Sequence, residues 1–438
     1  MKIPPVKGTR DFYPPIMALR NALTDGWKAA SIRNGFEEYD GPIFEMLKMY
    51  QVKSGDEIVE QLFSLRDRGG RDLAIRPEIT PTLARMVNQQ INALPRPIKW
   101  FSVPRLCRAE RPQKGRLREF FQWNIDIIGI ESVLADAEII FCAVDYLKSV
   151  GLTAKDIVVR ISSRRMLAEV LKAIGIAEDQ LDPLYALLDK INKLPPEAFA
   201  EKLNDLVSDA GQQDKIQALM KARSIGEVTQ VTALTDSAQS AADELHSLFE
   251  TLETMGISDF CMFDISIVRG LAYYTGVVFE IYDRECALRA IGGGGRYDNL
   301  LKQFGGPQVT ATGLGMGDCV LAILLEEKGL LKDLSTRNLD YFVACADAQY
   351  QTKAIEITAI LRNAGKITNT SYKTGALGKQ FKQASEQNAA KTIIVGSEVE
   401  NGQLAVKDMA TGEQTLVDWQ AFVGQLARIS HKLSSETA

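Results

Sequence analysis

Histidine is scarce in this chain of 438 residues. Only two occur, His246 and His431, and both lie in polar stretches typical of helices. A histidine-rich zinc site and a Ser–His–Asp hydrolase each need an imidazole beside other reactive groups, so the sequence argues against both classes. We therefore expect the chemistry to depend on arginines, carboxylates and groups of the substrate, with no metal site built from protein side chains.

Cysteine pairs, long apolar runs and excess positive charge are also missing. The six cysteines are scattered without a CxxC pair, which predicts reduced thiols in a cytoplasmic protein. The first residues lack the apolar core of a signal peptide, and no apolar run is long enough to span a bilayer. The formal net charge of −5 means that any nucleic acid must bind through local basic patches.

Basic residues are concentrated in the segment Pro104–Gly129. Six of them stand near its start, interrupted by Pro112 and Gly115: Arg105, Arg108, Arg111, Lys114, Arg116 and Arg118. Polar and apolar residues then alternate, as in a strand with one polar face. The pattern predicts a strand, a mobile loop whose guanidinium groups bind a polyphosphate, and a strand that presents polar side chains to a small ligand. The alternative is a solvated charged hairpin.

Two pairs of polar residues have the spacing of a substrate site. Gln122 and Asp126 share one strand face, roughly 13 Å apart, and either line an amino-acid pocket or belong to an exposed face. Glu78 and Thr80 lie at a turn into a helix, where a carboxylate and a hydroxyl can both bond one ammonium group. Alternatively, Thr80 caps the helix and Glu78 pairs with Arg76.

An arginine and two glycine-rich stretches leave similar alternatives open. Arg269 lies in an apolar strand context and needs either a ligand or a buried ion pair. The cluster Gly292–Gly295 allows a ligand to approach the backbone or forms a tight turn. The alternating glycines at 313, 315 and 317 leave one strand face bare, for a flat nucleobase or for close helix packing.

The distribution of strand and helix patterns along the chain predicts three domains. Residues 1–162 and 242–331 mix strands and helices, while 163–241 is helical and interrupts them as an insertion. Residues 338–438 alternate strand and helix, which predicts a small α/β domain. Its stretch Lys366–Lys391 carries five lysines and one acid, Glu386, and so offers local attraction for a phosphate backbone.

Taken in order, four motifs resemble those of the histidyl-tRNA synthetases, a family of class II aminoacyl-tRNA synthetases. NGFEEYDGPIFE (Asn34–Glu45) is similar to the first class II motif, and CRAERPQKGRLREFFQWNIDIIG (Cys107–Gly129) to the second. RGLAYYTGVVFE (Arg269–Glu280) is similar to the family's RGLDYY signature, and ATGLGMGDCVLAILL (Ala311–Leu325) stands in place of the third motif.

The resemblance implies an α+β fold, in which an antiparallel class II synthetase catalytic sheet with flanking helices carries the helical insertion and is followed by an anticodon-binding-like α/β domain. It implies a cytoplasmic homodimer that uses ATP with Mg²⁺ to activate L-histidine as histidyl-adenylate. The product is then transferred to the terminal ribose of tRNA-His, with no membrane involved.

The resemblance also implies roles for individual residues. The ammonium group of histidine would be held around Glu78, Ile79, Thr80 and Gln122. The imidazole would be read by Asp126 and Tyr273, with Tyr274 lining the pocket. The triphosphate would be bound by Arg108 at the α-phosphate, by Arg116 at the β- and γ-phosphates, and by the loop residue Glu110. Arg108 and Arg269 would be the catalytic pair, with Arg269 near the substrate carboxylate.

Two positions depart from the family's pattern. Val320 stands where the third motif carries an arginine, and Ala272 replaces the aspartate of RGLDYY. They leave open a non-catalytic paralogue, such as the regulatory subunit of ATP phosphoribosyltransferase, or a tRNA-binding module without chemistry. Arg296 is a candidate replacement for the missing cation.

Overall fold

The structure is a computed structural model, which describes residues 3–53, 61–191, 194–268, 274–331 and 338–425. Of the residues singled out above, Arg269, Ala272, Tyr273 and His431 lie outside the described ranges. The chain divides into two compact units, Met1–Leu334 and Ser335–Ala438. Within the described ranges, no helix combines the length and the apolar character needed to cross a bilayer.

The first unit is an α+β structure. Its described strands are β1 (Glu37–Glu38), β2 (Phe44–Met46), β3 (Phe63–Arg66), β4 (Asp72–Ile75), β5 (Ile98–Ser102), β6 (Arg105–Cys107), β7 (Glu119–Ile128), β8 (Ile157–Ser163), β9 (Cys261–Phe263), β10 (Val277–Asp283), β11 (Gly292–Arg296) and β12 (Ala311–Gly317). Its described α-helices are α1 (Pro14–Arg33), α2 (Leu47–Lys53), α3 (Thr80–Gln90), α4 (Val133–Ser149), α5 (Arg164–Ile174), α6 (Glu178–Leu188), α7 (Pro196–Leu206), α8 (Ala210–Lys221), α9 (Ile225–Val231), α10 (Asp236–Thr254), α11 (Leu300–Gln303) and α12 (Asp318–Glu327).

A large sheet forms the centre of this unit, with strand order β1-β5-β7-β12-β11-β10-β8-β9 and β6 added beside β7. Only the outermost described pairs, β1 with β5 and β8 with β9, are parallel, and the pairs between them are antiparallel. A smaller antiparallel sheet has the order β2-β4-β3. The predicted antiparallel α+β fold is therefore confirmed. The tight turn considered for Gly292–Gly295 is wrong, because these residues form a buried strand in the sheet.

The alternation in β7 determines which residues face the core. Trp123 packs against Trp27 of α1 and Tyr146 of α4, with ring centroids 6.3 and 5.5 Å away. Its indole N–H donates to the hydroxyl of Ser31 at 2.8 Å, so the one polar group of this buried ring is satisfied. With the odd-numbered side chains turned into this core, Gln122 and Asp126 project from the opposite face of the sheet.

After Ser163, the regular elements within the described ranges up to residue 241 are all helices, from α5 to the start of α10. Ser163 ends β8, and its hydroxyl accepts a hydrogen bond from the N–H of Met166 at 3.2 Å, which caps α5. Apolar residues of α5 and α10, including Leu167 and Leu245, belong to the same core as the sheet. That this segment acts as a separate insertion domain stays a prediction.

The second unit is a small α/β structure. Its strands are β13 (Leu339–Cys345), β14 (Thr368–Thr370), β15 (Ala389–Val395), β16 (Gln403–Asp408) and β17 (Gln414–Asp418), and its helices include α13 (Gln351–Asn363) and α14 (Leu377–Glu386). The sheet has the order β14-β13-β15-β16-β17. Strands β13, β14 and β15 are parallel to one another, because the helix between two consecutive strands returns the chain to the end of the sheet where the first of them began.

Candidate active site

A structured hairpin carries the arginine-rich segment. Strand β6 pairs with β7, and the N–H of Arg108 donates to the carbonyl of Arg118 at 2.8 Å. Gln113 and Arg116 exchange two backbone hydrogen bonds of 2.9 Å. Gly115 has φ of +74° in that turn, a left-handed conformation that glycine adopts without strain. The predicted strand, loop and strand are therefore present.

Two arginines of this hairpin are held in different ways. The guanidinium of Arg108 lies 5.2 Å from the ring centre of Phe120, and its Nε donates to the carbonyl of Pro77 at 3.0 Å. The guanidinium of Arg116 forms a forked ion pair with the carboxylate of Glu110. The Glu110 side chain is only 8 % exposed, so the alternative of a fully solvated charged hairpin is wrong.

The hairpin forms one wall of a cavity of about 870 Å³. Arg108, Glu110, Arg116 and Gln122 line it together with the start of α12 and residues between β10 and β11. Backbone of β11 and β12 contributes the glycines at 292, 293, 315 and 317. An ideal Cβ on Gly294 would lie 1.9 Å from the carbonyl oxygen of Gly313, so a side chain there would force these strands apart.

Asp126 lies four residues after Gln122 along β7 and is 3 % exposed, so the exposed-face alternative is wrong for this residue. Its carboxylate accepts a hydrogen bond of 2.5 Å from the hydroxyl of Tyr297. Its neighbour across the sheet is Gly313, where an ideal Cβ would lie 2.2 Å from the carboxylate. The bare strand face seen in the sequence therefore accommodates the polar side chains of β7.

Glu78 and Thr80 lie at the start of α3. Glu78 is 7 % exposed and Ile79 is fully buried. The helix begins at Thr80, its N-cap is Ile79, and no side chain caps it, so Thr80 is not the N-cap. The Arg76 guanidinium contacts the carboxylate of Asp40 at 2.6 Å. Because Arg108 bonds the carbonyl of Pro77, this turn and the arginine hairpin are joined directly.

Val268 also lines the cavity, and it is the last described residue before a gap in the described ranges. The next described residue is Tyr274. Tyr274 is 6 % exposed and packs in a core cluster with Ile267 and Tyr297. The predicted meeting of Arg108 with Arg269 stays a prediction, because Arg269 lies outside the described residues, and the same holds for Tyr273.

Arg296 is not the missing cation. It is buried, and its guanidinium donates to the carboxylate of Asp136, to the hydroxyl of Thr310 at 2.7 Å and to the carbonyls of Ile130 and Ser132 at 3.0 Å. These partners use most of its donors, on the side of β11 that meets the loop before α4. The hypothesis that Arg296 replaces the third-motif arginine is therefore wrong.

Several residues around the site carry no recognisable signal in the sequence. Tyr297 bonds Asp126, and burial together with the nearby charge of Asp126 raises the pKa of Tyr39, which keeps its hydroxyl protonated. Arg160 and Arg289 line the cavity. Neither Tyr39 nor Tyr297 carried a signal beyond its position beside a glycine-rich or strand motif, because their partners are distant in sequence.

Cys319 also lines the cavity at the start of α12. Burial and the neighbouring Asp318 raise the pKa of its thiol to about 12, so it stays protonated at neutral pH. Such a thiol is neither a nucleophile nor a base there. All six cysteines of the chain are free.

Comparisons with known proteins agree with this arrangement. The family model described as histidyl-tRNA synthetase matches residues 8–317, and the model described as anticodon binding domain matches residues 340–429. The chloroplastic/mitochondrial histidine–tRNA ligase of Arabidopsis thaliana is 40% identical over 411 residues, which cover 94% of this chain and 84% of that protein. The histidine–tRNA ligase of Opitutus terrae is 39% identical over 93% of this chain and 94% of its own length.

A solved structure shares the fold over nearly the whole length. The histidyl-tRNA synthetase of Nostoc sp. PCC 7120 superposes with a TM-score of 0.83 at 23% identity, covering 98% of this chain and 99% of that one. With a family match over most of the first unit and relatives of about 40% identity along almost the entire chain, the chain belongs to the histidyl-tRNA synthetase family.

Proposed function

We propose that the chain ligates L-histidine to tRNA-His in an ATP-dependent reaction that passes through histidyl-adenylate. Family membership supports this activity. The observation that supports it most strongly is that Arg108, Arg116 and Gln122 line one and the same cavity. Two cations suited to phosphate are thereby placed beside a polar strand face.

In the first step the carboxylate of histidine attacks the α-phosphorus of ATP. A P–O bond forms, the bond to the β-phosphate oxygen breaks, and pyrophosphate leaves with the electron pair. The carboxylate is already ionised at neutral pH, so no base has to remove a proton. Positioning and stabilisation of negative charge therefore dominate, and the arginines of this cavity fit that requirement.

Arg108 is the residue we assign to the α-phosphate. Its contacts with the Pro77 carbonyl and the Phe120 ring hold the guanidinium in place before substrate arrives. A preorganised cation stabilises developing charge without the cost of ordering it during the reaction. Arg269 would act with it from the other side, on the strength of the family resemblance.

Arg116 is assigned to the β- and γ-phosphates. It has to exchange its carboxylate partner Glu110 for phosphate oxygens, which carry more negative charge and accept the same forked pair of hydrogen bonds. ATP would enter as its magnesium complex. Glu110 and Glu280 line the cavity, and Mg²⁺ is commonly bound by one or two carboxylates, substrate phosphates and water.

Histidine would be recognised on the polar face of β7. The buried carboxylate of Asp126, oriented by Tyr297, is a suitable acceptor for an imidazole N–H. Glu78, Thr80 and Gln122 would bind the ammonium group, beside Ile79. Tyr273 would read the imidazole together with Asp126, and Tyr274 would line the pocket. These assignments follow the family resemblance.

In the second step a hydroxyl of the terminal ribose of tRNA attacks the carbonyl carbon of the adenylate, and AMP leaves. The second unit would bind the anticodon region, which the match at residues 340–429 supports. We further propose a homodimer in the cytoplasm. The regulatory-subunit alternative is not favoured, because the relatives named here are ligases and the anticodon-binding region is present.

Histidine-dependent exchange of labelled pyrophosphate into ATP tests the proposal. The purified chain with Mg²⁺ should catalyse exchange with L-histidine and with none of the other amino acids. Absence of exchange under conditions where the chain binds tRNA-His would overturn the ligase and leave the tRNA-binding module.

A further inference from the structure

An apolar residue, Val320, occupies the position of the third-motif arginine. Val320 lies in the first turn of α12, lines the cavity and is 8 % exposed. An ideal Cβ on Gly115 would lie 3.0 Å from its Cγ2, so the arginine hairpin packs closely on this valine. Helix α12, with the sequence DCVLAILLEE, offers no basic residue of its own. A cation for this end of the cavity has to come from another element.

Four arginines of the described chain line the cavity: Arg108, Arg116, Arg160 and Arg289. The first two belong to the hairpin already described. Arg160 is bound to the carboxylate of Asp264 at 3.1 Å and lies over the ring of Tyr282 at 5.4 Å. The guanidinium of Arg289 has neither a hydrogen bond nor an ion pair with any residue that the structure describes, and Arg289 is exposed to the cavity.

The loop that carries Arg289 is well anchored. The carboxylate of Asp283 accepts hydrogen bonds of 2.9 Å from the N–H groups of Ala287 and Leu288. After Arg289, the N–H of Ile291 donates to the carbonyl of Ile281 at 2.8 Å, which starts the pairing of β10 with β11. The backbone on both sides of Arg289 is therefore fixed, while its side chain keeps all its donors.

Strand register puts Arg289 beside the start of α12. Gly292 lies opposite Met316, and the N–H of Gly317 donates to the carbonyl of Ile291 at 3.3 Å. In an antiparallel pair, residues that precede one strand lie beside those that follow the other. Residue 289 therefore lies at the end of the sheet where α12 begins, and Arg289 and Val320 line the same cavity.

We propose that Arg289 supplies the cation that the third motif lacks, and that it binds the terminal phosphates of ATP from the β11 side of the cavity. The inference rests on the proposed function. The guanidinium fork is suited to two phosphate oxygens, and its preorganised loop avoids part of the ordering cost of binding. Val320 then closes the opposite side by packing on Gly115.

The test compares Arg289→Ala with Arg284→Ala. Arg284 is an exposed arginine of the same loop that lies outside the cavity lining, so its variant controls for charge and loop composition. Exchange kinetics are measured at varied ATP and at varied histidine, and binding of MgATP alone is measured by calorimetry. Arg289→Ala should lower kcat/KM for ATP by about 10- to 100-fold and weaken MgATP binding, while KM for histidine stays unchanged. Arg284→Ala should match the parent chain in each measurement.

Three outcomes separate this inference from the proposed function. If the parent chain shows no histidine-dependent exchange, the function fails, and MgATP binding alone still decides the role of Arg289. If the parent is active and Arg289→Ala equals Arg284→Ala, the inference is overturned. Should Arg289→Ala fold poorly by circular dichroism, Arg289→Lys and Arg289→Gln replace it, and equal ATP affinity of these two variants would contradict a cationic role.

Discussion

The two ends of β11 each present an arginine, and the two serve different purposes. Arg296 at the carboxyl end is buried and bonds Asp136, Thr310 and two backbone carbonyls. Arg289 before the amino end is exposed in the cavity and makes no such bonds within the described chain. A buried guanidinium needs a nearly complete set of partners, so it has little capacity left for a ligand. Of two nearby arginines, the less well bonded one is therefore the better candidate for substrate.

Two carboxylates of the same region, those of Asp136 and Asp126, also differ in their partners. Asp136 is fully buried, and its main partner is a guanidinium within the fold. Asp126 is 3 % exposed and accepts a hydrogen bond from the hydroxyl of Tyr297. The first carboxylate is held by a guanidinium within the fold, and the second is the one that we propose for recognition of a substrate N–H.

The largest expected effect is the loss of stability in Arg296→Ala. The substitution leaves the buried carboxylate of Asp136 without its cation, which costs about 3–5 kcal/mol in comparable buried pairs. The urea midpoint of the first unit should fall sharply. Arg289→Ala, in contrast, should change the free energy of unfolding by less than about 0.5 kcal/mol. The double variant Arg296→Met with Asp136→Leu should recover part of the loss. Equal midpoints for Arg296→Ala and Arg289→Ala would remove the distinction between the two ends of β11.

Arg108→Ala should abolish most of the exchange activity without a comparable loss of stability. Removal of one preorganised charge-stabilising donor costs about 100- to 1,000-fold in kcat. Arg105→Ala is the matched control, since Arg105 lies on the same hairpin and pairs with Glu119 on the surface. Steady-state exchange and a thermal melt of each variant provide the measurements. A loss shared equally by Arg105→Ala would mean that the hairpin fold, and not the Arg108 guanidinium, is what matters.

The sequence predicts local features of this molecule well and distant pairings poorly. Alternation from Gln122 to Ile127 correctly indicates a strand with one polar face, because the pattern depends only on neighbouring residues. The partner of Arg296 is 160 residues away, and that of Asp126 is 171 residues away. No local signal distinguishes Arg296, beside four glycines, from Arg289 in an ordinary loop. The family motifs identified the hairpin arginines, but they are silent on Arg289, because it lies outside every motif.

Asp126→Asn tests the proposed role of this carboxylate in recognising histidine. The amide still accepts the bond from Tyr297 but has lost the charge, and hydrogen bonds to charged groups contribute about 1.5–3 kcal/mol. KM for histidine should rise by roughly 10- to 100-fold, with KM for ATP changed less than twofold. Tyr297→Phe keeps the charge and should have a smaller effect. A parallel rise of both KM values would assign Asp126 to the fold, as Asp136 is.

The smallest effect concerns an ion pair at the surface, Asp156 with Lys328, whose charged atoms are 2.8 Å apart. Hydrogen bonds from Lys328 and Thr153 lower the pKa of Asp156 to about 2, from an ordinary value of 3.8. Because the folded pKa is the lower one, the carboxylate stabilises the fold above about pH 4, and this stabilisation is lost as the pH falls toward 2. Because Lys328 is exposed and Asp156 is only partly buried, solvent screens the pair, and only a small part of that shift is expected as stability.

Asp156→Asn should therefore lower the urea midpoint slightly at pH 7, and the gap to the parent chain should narrow as the pH falls from about 4 toward 2, because the carboxylate becomes protonated first in the unfolded chain and then in the folded one. Lys328→Met should give the same small gap at pH 7. If the gap instead reached the size expected for Arg296→Ala, or widened in acid, exposure would not be what separates weak ion pairs from strong ones in this protein, and Arg289 could not be distinguished from Arg296 by its accessibility.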